Sequence, residues 1–130
     1  MIVGIGTDLI VIDRFRDMLQ RRPGLAERLL TPLERTLSIE SQAARFSAKE
    51  AFAKALGSPG GMRWLDCEVV KNADGAPRFR ADGSVAARIA ELGIGTVQLT
   101  ISHDGGFATA MVVCEWRPCA LSLCVMKAAA

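Results

Sequence analysis

The chain has 130 residues, of which half are hydrophobic and 23% charged, with a formal net charge of +2. That length suits one domain that buries about two-thirds of its unfolded surface without disulfides or a structural metal. The weak charge and an aromatic share of 5% argue against a nucleic-acid binder, and no apolar run approaches the roughly 18 residues of a membrane span.

Residues 1–12, MIVGIGTDLIVI, are rich in β-branched side chains and glycine and read as a strand. Asp13 is the expected N-cap of a helix over residues 14–22, broken by Pro23-Gly24. One more helical turn is expected over residues 25–30, ending near Thr31-Pro32. Ser41 is the expected cap of a long helix reaching about Leu56, with Gly57 as its stop. Ala44, Ala48, Phe52 and Ala55 follow helical spacing there, and Ala51 and Leu56 widen the apolar stripe.

Ser58-Pro59-Gly60-Gly61 reads as a loop. Strands over residues 65–71 and 77–81 flank a turn at Asp74-Gly75. Residues 82–92 read as a helix followed by Gly93. Strands over residues 96–102 and 107–115 flank Asp104-Gly105-Gly106. The pattern predicts an α+β fold, an antiparallel sheet packed with a long helix and closed by a terminal hairpin. Residues 1–116 form the expected domain, and residues 117–130 are an extension to which no role is assigned.

Cys67, Cys114, Cys119 and Cys124 form no Cys-x-x-Cys pair, and His103 is the one histidine. A zinc site is therefore not expected. Asp8 interrupts the first apolar run and no basic stretch precedes it, so no secretory leader is expected. The expected compartment is the cytoplasm, where thiols stay reduced.

Asp8 is a carboxylate inside an apolar run. Such a group is either a turn or cap residue at a strand end or one that a partner or metal compensates. Glu50 and Lys54 are four apart and share a helix face. They form either an exposed ion pair or part of a site, and the alanine-rich helix around them reads as packed on most sides. Ser102-His103-Asp104 is not a hydrolase triad, because neighbours on a strand point to opposite faces. His103 at a strand end is either a phosphate contact or a hydrogen-bonded turn residue. Arg14, Arg16, Arg21, Arg22 and Arg28 crowd one stretch, either as a solvated helix face or as a patch for an acidic partner.

In series these segments resemble the holo-acyl-carrier-protein synthases. Val3-Gly4-Ile5-Gly6-Thr7-Asp8 resembles that family's metal-binding strand, and Phe46 to Lys54 its aromatic-x-x-Lys-Glu-Ala-x-x-Lys helix. Asp74-Gly75-Ala76-Pro77 is similar to its Asn/Asp-Gly-x-Pro turn, and Ile101-Ser102-His103 to its Ser-His strand end. The segment between Leu30 and Phe46 is shorter than the family pattern, and the tail after Trp116 extends beyond it.

The resemblance implies a magnesium-dependent transfer of the phosphopantetheine arm of coenzyme A to a serine of apo-acyl carrier protein, releasing 3′,5′-ADP. It implies Asp8 and Glu50 as Mg²⁺ ligands, with Lys54 and Lys49 stabilising phosphate charge. Two carboxylates about 4 Å apart repel by roughly 4 kcal/mol at an effective dielectric near 20, which a divalent ion reverses. The base that takes the serine proton is Glu50, Asp8 or a metal-bound water. Coenzyme A contacts are expected from Arg45, Lys49, Lys54, Gly57, Ser102 and His103, with Gly75 and Pro77 at the adenine end. Arg14 and Arg21 are the expected grip on the carrier protein. The resemblance also implies a homotrimer with sites between subunits. The rival reading is a non-enzymatic trimeric module that binds coenzyme A or a nucleotide.

Overall fold

A computed structural model describes residues 1–118. Strand β1 (Ile2–Val11) runs into helix α1 (Ile12–Arg21) and the short helix α2 (Leu25–Leu29). After a 3-10 turn at Glu34–Thr36 comes helix α3 (Ile39–Ala55). A second 3-10 turn (Trp64–Asp66) leads to strands β2 (Cys67–Lys71) and β3 (Pro77–Ala81), then helix α4 (Gly83–Glu91) and strands β4 (Ile94–Asp104) and β5 (Phe107–Trp116). Strands β1, β5 and β4 form one antiparallel sheet in that order, and β2 and β3 form a separate hairpin.

The α+β reading and the order of elements agree with the structure; the caps differ. Val11, not Asp13, precedes α1, and it makes no side-chain cap bond. Asp13 lies inside the first turn and pairs with Arg16 at 2.5 Å, where a carboxylate still complements the helix dipole. Ser38, not Ser41, caps α3, its hydroxyl accepting from the Ser41 N–H at 3.3 Å. Ser41 supplies one of the first-turn N–H groups that have no helical partner. The expected strand from residue 65 begins only at Cys67, because the Asp66 carboxylate turns aside to accept from the Ser84 N–H and hydroxyl.

Gly57 does stop α3. It takes φ +83°, while Ser58 N–H bonds to the Ala53 carbonyl at 2.7 Å and Gly57 N–H to that of Lys54 at 3.0 Å. That pair of bonds closes the helix end with a left-handed residue that glycine adopts without strain.

Helix α3 is buried on most sides, through Ala43, Ala44, Ser47, Ala48, Lys49, Ala51, Phe52, Ala53 and Ala55. It lies on the inner face of the sheet against Ala108, Ala110, Val112 and Cys114 of β5. Phe52 stacks on Phe79 of the hairpin, and Phe46 sits between Phe15 and Trp64. The approach to β1 is closer still. A Cβ on Gly6 would stand 1.9 Å from the Ala51 carbonyl oxygen, and one on Gly4 would stand 2.1 Å from that of Ala55. Only glycine fits under a helix backbone at that distance, and this contact sets where α3 crosses the strand that carries Asp8.

Candidate active site

The sheet's alternation turns Asp8 inward with Gly4 and Gly6, opposite the inward Ala110 of β5. Its carboxylate meets Lys54, whose ammonium lies 3.1 Å from Asp8 Oδ1 and also donates to the Thr7 carbonyl at 2.9 Å. Glu50 sits one turn before Lys54 on α3 and is half-buried. Burial raises its pKa above the usual carboxylate range, and the charge of Asp8 adds to the rise while Lys54 opposes it. Asp8, Glu50 and Lys54 therefore form one electrostatic cluster; spacing alone predicts only the Glu50–Lys54 face, and the resemblance adds Asp8 to it.

Two carboxylates in one cluster, the charge of Asp8 raising the pKa of Glu50 and both offering only oxygen, fit a hard divalent cation. Among the described residues no group of three or more acidic, histidine or cysteine side chains gathers. A cation bound by Asp8 and Glu50 would keep most of its coordination for water and substrate, which is how magnesium is held beside phosphates.

Lys49 is a correction. Its side chain is 0% exposed and pairs with Glu34, also 0% exposed, at 2.6 Å. The same ammonium donates to the Leu29 carbonyl at 2.9 Å and the Trp64 carbonyl at 3.2 Å. Three donors meet three acceptors, so nothing remains for a phosphate. Glu34 in turn accepts from the Thr31 and Val69 N–H groups. The pair ties α2, α3, both 3-10 turns and β2 together, and is a structural staple. Lys54 alone of the two lysines reaches the carboxylate cluster.

Of the other expected contacts, Arg45 shares α3 with Glu50 and Lys54, and Ser102, His103, Gly75 and Pro77 stand on other elements. Arg45, half-buried on α3, donates to the Ser41 carbonyl at 3.3 Å. Its buried Nε has no acceptor among the described residues, and burial lowers its pKa, with Glu34 acting in the opposite direction. Ser102 and His103 occupy neighbouring positions of β4 and so face opposite sides of the sheet. His103 borders a cleft with Asp13, Arg16, Glu40 and Gly106. Gly75, at φ +84°, forms the tip of the β2–β3 hairpin, and Pro77 begins β3. Among the described residues no hydrogen bond or ion pair joins Arg45, Gly75, Pro77, Ser102 or His103 to Asp8, Glu50 or Lys54. Arg14 and Arg21 are exposed and line one shallow depression on α1 with Asp17, Met18 and Arg22.

Sequence reasoning missed two hydroxyls. Ser47 Oγ donates to the Asp8 carbonyl at 3.2 Å, and Thr109 Oγ1 to the same oxygen at 2.8 Å. Ser47 had a signal, being a polar residue on the apolar face of α3; Thr109 had none. Glu34 was missed as well, because its burial depends on Lys49.

Residues 4–112 match the family model described as the 4′-phosphopantetheinyl transferase superfamily, and the chain belongs to that superfamily. A holo-acyl-carrier-protein synthase of Streptomyces avermitilis is 52% identical over 120 residues, which cover 88% of this chain and 98% of that protein. A structure described as the Chronobacterium ammoniagenes synthase–coenzyme A complex aligns at TM-score 0.75 and 34% identity, over 88% of this chain and 98% of that one. The Bacillus anthracis synthase in complex with coenzyme A (3′,5′-ADP) aligns at TM-score 0.73 and 36% identity, over 90% and 99%. Within the superfamily this chain is an enzyme of the holo-acyl-carrier-protein synthase group. That membership displaces the rival reading of a non-catalytic binding module.

Proposed function

We propose that the protein transfers the 4′-phosphopantetheine arm of coenzyme A to a serine of apo-acyl carrier protein, serving fatty acid synthesis in the cytoplasm. The observation that carries this is the meeting of Asp8, Glu50 and Lys54 where β1 and α3 touch. Asp8 and Glu50 would hold the Mg²⁺ ion, and that ion would offset the charge of the pyrophosphate. Lys54, half-exposed at 49%, turns its ammonium to a phosphate oxygen and stabilises the charge that develops there. The serine oxygen forms the new bond to phosphorus, the pyrophosphate P–O bond breaks, and 3′,5′-ADP leaves with the electron pair. The serine proton passes to a carboxylate of the pair or to water.

Arg45, with its orphaned Nε, supports a role at the nucleotide phosphates, as does His103 beside Arg16 in its cleft. Gly57 is exposed at the end of α3, open to a phosphate. Ser102, Gly75 and Pro77 complete the proposed contacts. Ser102, Gly75 and Pro77 lie on elements that do not pair with the strand carrying Asp8, and this favours a site shared between subunits of a homotrimer. Arg14 and Arg21 on α1 favour docking of an acidic carrier protein.

The test mixes the protein with coenzyme A, Mg²⁺ and apo carrier protein and follows the carrier by mass spectrometry. A gain of one phosphopantetheine is expected, and no gain would overturn the proposal. Asp8→Ala and Glu50→Ala should each lower the rate at least about a hundredfold while the fold persists. Near-normal turnover by either variant at ordinary Mg²⁺ would remove that carboxylate from the mechanism.

A further inference from the structure

Asp8 stands on β1, an edge strand of its sheet, and its main-chain carbonyl is held from two sides. The Ser47 hydroxyl reaches it from α3, and the Thr109 hydroxyl reaches it from β5, at 3.2 and 2.8 Å. Ser47 is 0% exposed, and its part-buried bond is one of two that fix this oxygen, so its loss leaves the carbonyl held from one side only. Thr109 is half-buried on the opposite face of the sheet from Ala108 and Ala110.

Ser47 also lies three residues before Glu50, on the same side of α3. Its hydroxyl therefore joins the backbone next to one carboxylate to the helical turn that carries the other. The bond falls on the carbonyl and leaves both carboxylate oxygens of Asp8 free for a cation and for Lys54. Magnesium demands near-ideal octahedral geometry, and two ligands on different elements satisfy it only when their separation is fixed.

We propose that Ser47 and Thr109 are positioning residues for the Asp8–Glu50 pair, clamping the Asp8 peptide so that both carboxylates meet one divalent cation. The inference rests on the metal-binding role proposed above. It predicts that removing either hydroxyl weakens the cation and leaves coenzyme A binding alone.

The test titrates Mn²⁺, as a paramagnetic probe, into wild type, Ser47→Ala, Thr109→Val, Thr109→Ser and Asp8→Ala, with circular dichroism reporting the fold. Thr109→Val is nearly isosteric and half-exposed, so it carries the test should Ser47→Ala fail to fold. The dissociation constant for Mn²⁺ should rise roughly three- to tenfold in Ser47→Ala and Thr109→Val, the loss of about one hydrogen bond. The Mg²⁺ concentration that half-saturates transfer should rise in parallel, with KM for coenzyme A and kcat at saturating Mg²⁺ within about twofold of wild type, while Thr109→Ser keeps the wild-type affinity. A purely structural role would lower thermal stability and leave Mn²⁺ affinity of the folded protein unchanged, which would overturn the proposal. Thr109→Ser binding as weakly as Thr109→Val would overturn it too. Asp8→Ala separates the two levels. If it abolishes Mn²⁺ binding while the hydroxyl variants bind normally, the clamp alone fails. If it binds Mn²⁺ like wild type, the metal reading fails and the clamp with it.

Discussion

Lys49 and Lys54 stand on the same helix and do opposite work. Lys49 is sealed in with Glu34 and two carbonyls, while Lys54 is half-exposed beside Asp8. Removing one partner of a buried ion pair leaves an uncompensated charge and costs about 3–5 kcal/mol. Lys49→Met should therefore lower Tm by about 10 °C or more in a chain of this size, and the folded fraction should retain its affinity for coenzyme A. Lys54→Met should hold its Tm and lose transfer, since its ammonium sits in a high-dielectric setting and contributes little to folding. Calorimetry and steady-state kinetics on both variants check the contrast. A stable Lys49→Met with a raised KM for coenzyme A would return Lys49 to the phosphate site.

At the scale of elements, what the sequence shows is periodicity. The run 43–56 repeats alanine and phenylalanine at helical spacing, and α3 is buried where that spacing says. Gly57, Asp74-Gly75 and Gly105-Gly106 mark real turns, because each glycine sits at positive φ. Asp8, Glu50 and Lys54 stand out by position and charge, and the family resemblance is what joins them into one site. What stayed hidden depends on contacts distant in sequence. The Glu34–Lys49 pair spans 15 residues and the Thr109–Asp8 bond 101, so no local pattern encodes either. Ser38 and Ser41 are equally good caps by residue type, and only the start of the helix decides between them.

Helix α1 brings a further prediction at this scale. Arg14 and Arg21 are seven residues apart, about two turns, and share an exposed face. Arg14→Glu replaces attraction for an acidic carrier by repulsion, and exposed charges act mainly on association. KM for the carrier protein should rise several-fold, more at low salt than at high salt, while KM for coenzyme A stays level. Kinetics at two salt concentrations, varying each substrate in turn, check this. Equal losses for both substrates would mark Arg14 as a coenzyme A contact or a folding residue, and no loss would leave it as solvated surface.

At the scale of the whole molecule, the described residues leave one face of the sheet uncovered, with exposed apolar side chains set among threonines. On β1, Val3, Ile5 and Leu9 point away from α3, and on β5 Phe107 and Met111 do the same; Ile5 and Leu9 are each 65% exposed. Side chains of that size scattered singly need no explanation, but a contiguous patch on paired strands marks an interface. The same face carries Thr7 and Ser102, on the strands that hold Asp8 and His103. A neighbouring copy packed there would cover the patch and bring its own nucleotide contacts toward the Asp8 edge. The proposed homotrimer supplies that arrangement. Light scattering should then give a mass about three times 13.9 kDa, by closed cyclic assembly. Met111 lies at the centre of the patch, across from Thr7 and Thr100. Met111→Glu places a charge there that the free chain tolerates and an apolar interface does not, so it should give a folded monomer with little transfer activity. A wild-type monomer with full activity would refute the shared site. A Met111→Glu variant that stays trimeric would move the interface to another face.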